Sequence, residues 1–240
     1  MKKQIMGLMV ASALSSSVIA QDLTVELTNL TNAVYFTPLL VSTHNANTHL
    51  FQAGTTASAH LQAMAEGGDI SGLTTDLMSI AANTVENPAA GLLAPGASTT
   101  AMLKSDRNNS HLSLVGMLLP TNDGFVGLDA LKVPKKKGSY TYYLHAYDAG
   151  TEANNEVING GGAPGVLGIP ADPGGHAGSG ATGITEVEAN TTVHIHSGII
   201  GDMDASGGKS DLDSAAHRWL NPVAKLTITV SDDKDEHGHH

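Results

Sequence analysis

Ser113-Leu114-Val115-Gly116-Met117-Leu118-Leu119-Pro120-Thr121-Asn122-Asp123-Gly124-Phe125-Val126-Gly127 is the stretch on which the fold turns. A short apolar run bounded by turn residues fits a buried strand, and Asn122-Asp123-Gly124 is turn chemistry. The segment therefore reads as a strand over His111 to Leu119, a break, and a second strand over Phe125 to Leu131. Outward from it, strand character appears at Ser98 to Leu103, Tyr140 to Tyr147, Thr191 to His196 and Val223 to Val230. Near the start, Asp22 to Leu30 alternates polar and apolar residues, the pattern of a strand with one buried face, and a further apolar segment spans Phe36 to Val41. Gly, Pro and Asn at the breaks suit an antiparallel β-sandwich rather than a βαβ repeat. One short helix is expected at Ala59 to Ala65, ended by Gly67-Gly68, and a second at Thr75 to Ala82. The fold class is all-β with one or two short helices.

The two ends bound what this sandwich can be. Met1-Lys2-Lys3, an apolar stretch from Ile5 and Val18-Ile19-Ala20 form a secretory leader over 1–20, with Gln21 the first mature residue. No later segment reaches the ~20 apolar residues of a membrane span. Losing Lys2 and Lys3 leaves 10 basic against 23 acidic residues, so the net charge moves from −11 to −13. That balance makes nucleic acid and anionic membrane poor partners, and cations good ones. With no cysteine, no disulfide supports the fold. The Gly- and Pro-rich region Asn159 to Gly183 has no periodicity and reads as a long surface loop within one domain over 21–231. The charged, His-rich end over 232–240 reads as a disordered tail, whose His237, His239 and His240 are at most weak metal scavengers.

Chemistry concentrates at the two ends of one predicted strand. Asp123 stands in the break, and Tyr147-Asp148-Ala149-Gly150-Thr151-Glu152 follows the strand Tyr140 to Tyr147. Carboxylates so placed can converge on a hard cation, which takes six to eight oxygens. The plainer reading makes Asp123 a turn residue, and Asp148 and Glu152 caps of their own loop. Asp202 to Asp213 matches a calcium-loop spacing at its acidic positions, but Asp213 stands where a glutamate is required and no helix precedes it. It reads as an acidic surface loop.

Ser113 to Gly127 and Tyr147 to Glu152, with Phe36 to Val41, Ala65-Glu66-Gly67-Gly68-Asp69 and Trp219-Leu220-Asn221-Pro222-Val223-Ala224-Lys225-Leu226, resemble the bacterial branch of the spondin N-terminal domain family over Leu23 to Val230. The resemblance implies an antiparallel sandwich similar to C2 domains, with calcium among loops at one end. Its acidic ligands fall on Asp123, Asp148 and Glu152, the last standing where an aspartate is usual. The cysteines of animal members are missing, which weakens transfer of their adhesion partners.

The chain's 12 histidines supply an alternative. His194 and His196 lie on one face of a predicted strand and could ligate copper or zinc with a third donor from His44, His49, His145 or His217. Copper-binding relatives of this superfamily pair histidines with an oxidised tryptophan, and the one tryptophan here, Trp219, sits inside the closing-strand motif. The plainer reading has histidines hydrogen-bonded at a sandwich edge, and Tyr140, Tyr142 and Tyr143 as sheet surface and core. No Gly-x-Ser-x-Gly elbow, His-Glu-x-x-His helix or thiol is present. The expectation is an exported, noncatalytic calcium-binding module for extracellular binding or adhesion, with a protein or polysaccharide as partner. The alternative is a copper- or zinc-binding surface or periplasmic protein using His44, His194 and His196.

Overall fold

The computed structural model describes residues 20–232. The leader, apart from its last residue, and the tail beyond residue 232 lie outside the described residues. In chain order the elements are β1 (Gln21–Asn29), β2 (Tyr35–Phe36), β3 (Leu40–His44), α1 (Ala59–Gly67), α2 (Ser71–Ser79), β4 (Asn83–Glu86), β5 (Ser98–Ser105), β6 (His111–Leu119), β7 (Gly124–Lys132), β8 (Gly138–Asp148), β9 (His194–Ile195) and β10 (Ala224–Asp232). The strand order is β4-β3-β6-β7-β8-β10-β1-β5, with β2 on β6 and β9 on β8, and every pair is antiparallel.

One strand makes this sheet a sandwich. The first part of β8, Gly138 to Leu144, pairs with β10, and its last part, His145 to Asp148, pairs with β7. The sheet folds over at this strand, and its two ends nearly meet where Thr43 Oγ1 and Asn83 Nδ2 both donate to the carbonyl of Lys104 at 2.6 and 3.1 Å. The architecture is thus a mostly antiparallel sandwich that almost closes into a barrel, with two short helices.

The apolar run of β6 explains the layering. From Leu112 to Leu119 every residue of β6 is buried, because both faces of the strand are covered. Leu112, Leu114 and Leu118 face the core between the sheets, with Leu23, Val25 and Leu27 of β1 and Leu226 and Ile228 of β10. Val115 and Met117 face the other way, against Phe51, Phe125, Leu61 and Met64 of α1 and Leu73 and Leu77 of α2. Each fully buried leucine contributes about 1.5–3 kcal/mol.

Helix α1 has the boundaries its residues dictate. Ser58 caps it by accepting from the Leu61 amide at 3.1 Å, and Gly68 closes it at φ +73°, a left-handed conformation that glycine adopts without strain. Helix α2 begins at Ser71, four residues before the expected start, because Asp69 accepts from the Ser71 amide at 2.9 Å and fixes the first turn. The segment Phe36 to Val41 is divided between β2 and β3, with Pro38 in the gap. The strand expected over Thr191 to His196 shrinks to His194–Ile195.

Candidate functional site

Strand β6 ends at a cis Leu119-Pro120 bond. Thr121 then folds the chain back, its hydroxyl donating to the Leu118 carbonyl at 2.6 Å and accepting from the Gly124 amide at 3.0 Å. This turn carries Asp123 inward, and the pairing of Gly124 with Asp148 sets the second carboxylate beside it. Both are almost completely buried, at 0% and 1% exposure.

Their oxygens are unequally supplied. Asp148 Oδ1 accepts from the Gly150 amide at 2.8 Å, and Oδ2 from Asn154 Nδ2 at 2.7 Å. Asp123 Oδ2 accepts from the amides of Thr151 and Glu152 at 2.8 and 3.2 Å and from the Thr151 hydroxyl at 3.2 Å. Asp123 Oδ1 is buried with no hydrogen-bond partner among the described residues. Burial, and after it the charge of Asp148, pushes the Asp123 carboxyl up to about 8 against the pull of its amide donors. Below about pH 8 such a carboxyl gives up its proton only if something positive offsets the charge left behind. An oxygen-seeking cation at Asp123 and Asp148 fits that demand.

Glu152 is turned elsewhere. Its amide, not its carboxylate, meets Asp123. Its Oε1 accepts from Asn122 Nδ2 at 3.2 Å and from the Gly168 amide, while Oε2 is buried without a partner. Burial raises this carboxyl to about 7, with a further contribution from Glu66 and opposition from the Gly168 and Asn122 donors. Of the three acidic residues, the structure brings Asp123 and Asp148 together and points Glu152 into the neighbouring loop. Among the described residues no group of three or more His, Cys, Asp or Glu side chains assumes a metal-holding arrangement.

The histidines divide by where their protons sit. His196 Nδ1 accepts from the Gly198 amide at 3.0 Å, so the neutral ring carries its proton on Nε2, which is buried and unpaired. The ring packs against Trp219 at 5.0 Å, and burial above all, with His194 adding and Asp148 opposing, lowers it to about 4. His194 Nδ1 lies 2.8 Å from the Thr192 carbonyl, to which it donates, leaving Nε2 as the nitrogen with a lone pair. His44 has no nitrogen to spare: Nδ1 donates to the Asn45 carbonyl at 2.9 Å and Nε2 accepts from Ser113 Oγ at 2.7 Å. Its charged neighbours are Asp129, His111 and His49, whereas those of His196 are Asp148 and His194. His44 thus stands apart from the other two. His49 pairs with Asp129 at 2.5 Å, His145 is exposed on β8, and His217 is buried with Nδ1 accepting from the Asp213 amide at 3.0 Å.

The carboxylates at the two ends of the Asp202 to Asp213 segment are taken up by backbone amides, those on Asp211 coming from Ile158 and Ala181. Asp202 accepts from the amides of Asp204, Lys209 and Ser210 at 2.8, 2.8 and 3.0 Å, and these donors, Ser210 above all, lower its pKa. Sequence reading missed Glu156, a buried residue at φ +56° whose carboxylate accepts from the amides of Ile200 and Gly201 at 2.7 and 2.8 Å and from Ser210 Oγ at 2.6 Å. No local pattern marks it, because its partners lie 44 to 54 residues away.

A family model described as Spondin_N matches residues 28–157, just over half of the 240-residue chain. Asp123, Asp148 and Glu152 fall inside the match, and His194, His196 and Trp219 outside it. No curated protein matches the chain.

Proposed function

The chain belongs to the spondin N-terminal domain family, and from that premise we propose that it is an exported, noncatalytic module that binds calcium through Asp123 and Asp148 and uses the loops so ordered for extracellular binding or adhesion. The supporting observation is the buried Asp123 carboxylate with one oxygen left over beside a second buried carboxylate. Calcium supplies positive charge and wants oxygen donors. Asp123 and Asp148 would hold it, and the Thr151 and Glu152 amides already orient Asp123 for that role. Export is supported by the leader and by the usual extracellular setting of the domain. No helix among the described residues is long and apolar enough to cross a membrane.

The test is calcium titration of the mature chain by calorimetry, with elemental analysis alongside. One bound calcium, lost in Asp123→Asn, is the expected result. Absence of calcium binding, or stoichiometric copper or zinc in its place, overturns the reading.

A further inference from the structure

A second place on the molecule has the makings of a binding site and shares no side chain with the Asp123 and Asp148 pair. Along β8 the side chains of Tyr143, His145 and Tyr147 alternate with buried neighbours and stand on one outer face of the sheet. Opposite His145 in the register is Gly127 of β7. A side chain there would meet the Phe51 ring at 2.6 Å, so its absence lets that ring lie over the strand. Phe51 packs on Phe125 and Tyr147 at 5.0 and 4.8 Å and forms a fixed aromatic wall. Between this wall and Tyr143 runs a groove of about 420 Å³, within the range of small-ligand sites.

The chemistry of the lining narrows the occupant. Tyr143 is 59% exposed, and an aromatic face is electron-rich, so it attracts the weakly positive C–H face of a ring stacked on it. Gln52, His145 and Tyr147 line the same groove, and their polar side-chain groups make no hydrogen bond to another described residue. Together with the Tyr143 hydroxyl they offer both donors and acceptors. No lysine or arginine lines the groove, which disfavours an anion. The carboxylate at its end, Asp129, is occupied by His49 Nδ1 at 2.5 Å and the Leu50 amide at 3.0 Å, which weakens its call on a cation. What remains is a neutral molecule with a flat C–H face and many hydroxyls.

We propose that this groove binds a neutral saccharide, with Tyr143 stacking on a sugar ring and Gln52, His145 and Tyr147 hydrogen-bonding its hydroxyls. The proposal rests on the reading of the chain as a binding module and names the partner's class, but it does not require calcium.

The mature chain is titrated by calorimetry with maltotetraose, cellotetraose and chitotetraose, and with a heparin tetrasaccharide as the anionic probe. At least one neutral tetrasaccharide is expected to bind with a Kd of about 10 μM to 1 mM. Tyr143→Ala and His145→Ala should each weaken it by about tenfold, and Tyr143→Phe, which keeps the stacking ring, by about threefold or less. Both residues are exposed, so the variants keep the core intact. Failure of all three neutral probes, indifference to Tyr143→Ala, or tighter binding of the heparin probe overturns the proposal. Repeating the titrations in chelator separates the two sites. Saccharide binding that persists there stands even if no calcium is found, and calcium uptake by Tyr143→Ala stands even if no saccharide binds. Recovery of cleaved sugar would keep the groove and overturn the noncatalytic reading.

Discussion

Asp123 and Glu156 are both buried carboxylates in the loop end of the sandwich, yet they are built in opposite ways. Glu156 receives three donors from two distant segments and joins Ile200, Gly201 and Ser210 to its own turn. Asp123 receives its donors on one oxygen only, keeps the other empty, and faces a second carboxylate. A filled carboxylate is a structural hub, since its desolvation is offset by charge-assisted hydrogen bonds. A half-filled one next to a like charge stays costly until a proton or a cation arrives. On the proposed reading, the difference separates residues that hold the loops from residues that bind an ion.

The largest effect is expected from Glu156→Ala. It strands a buried hydroxyl and two part-buried amides and empties a buried site, and a buried polar group left unpaired costs about 1–3 kcal/mol. We expect at least about 3 kcal/mol of lost stability in urea unfolding, the same in calcium and in chelator. A loss that appears only with calcium would make Glu156 part of the ion site and dissolve the contrast.

Asp123→Asn should do the reverse. The amide keeps an oxygen for Thr151 and Glu152, so stability in chelator should hold near neutral pH, where Asp123 carries its proton, and rise by about 1 kcal/mol at pH 8 and above, where the variant avoids the repulsion with Asp148. What disappears is the calcium increment, which for the unaltered chain at a hundred times its Kd is about 2.7 kcal/mol. In a chain of this size that is a melting shift of roughly 5–10 °C. A variant that still gains this shift would remove Asp123 from the ligands.

The same contrast has a pH signature. The folded chain holds the Asp123 proton up to about 8 where the ordinary value is 3.8, and the Glu152 proton up to about 7 where it is 4.5. The fold therefore binds these protons more tightly than the unfolded chain does, and rising pH removes stability across both windows. His196 acts in the other direction: held at about 4 against 6.5, it costs stability as pH falls through that interval. Above 6.5 the histidine no longer contributes and only the carboxylates count. In chelator, stability should drop by about 2 kcal/mol between pH 6.5 and 8, given about 1.4 kcal/mol for each pH step over which the fold holds one extra proton. Saturating calcium should flatten the drop, because the ion replaces the proton at Asp123. An equal drop with and without calcium would refute the link between that carboxylate and the ion.

Much of this fold is legible in the sequence because its signals are local. The alternation in β1, the unbroken apolar run of β6 and the glycine after α1 each express one physical constraint within a few residues. Strands β2, β4 and β9 hold two to four residues, too short to show any period. The meeting of Asp123 and Asp148 is legible as well, since a turn and the end of the next strand must come together in an antiparallel pair. The orientation of Glu152 is not, because it is set by the Gly168 amide in a loop without periodicity. Nor is the tautomer of a histidine, which depends on the Gly198 amide for His196 and on Ser113 in a neighbouring strand for His44. Net charge and residue counts are blind to such single bonds, and these bonds decide which imidazole has a lone pair to offer.

The smallest effect, and the finest test of the comparison, belongs to Glu152→Gln. Glu152 stands between the two extremes: Oε1 is supplied by Asn122 and Gly168, Oε2 is empty, and the charge that acts on its carboxyl is that of Glu66 rather than of Asp123. Glutamine keeps an oxygen for the two donors and puts an uncharged amide where the empty oxygen was. Stability at pH 8 should change by less than about 1 kcal/mol, and calcium affinity by less than about threefold. A loss of calcium comparable to that of Asp123→Asn would show that the Glu152 side chain swings from the Gly168 amide to the ion. The carboxylate now held by the 156–170 loop would then be the element through which the ion reorders that loop. Near silence would instead leave Asp123 and Asp148 as the acidic pair and assign Glu152, by its amide alone, to the task of aiming Asp123.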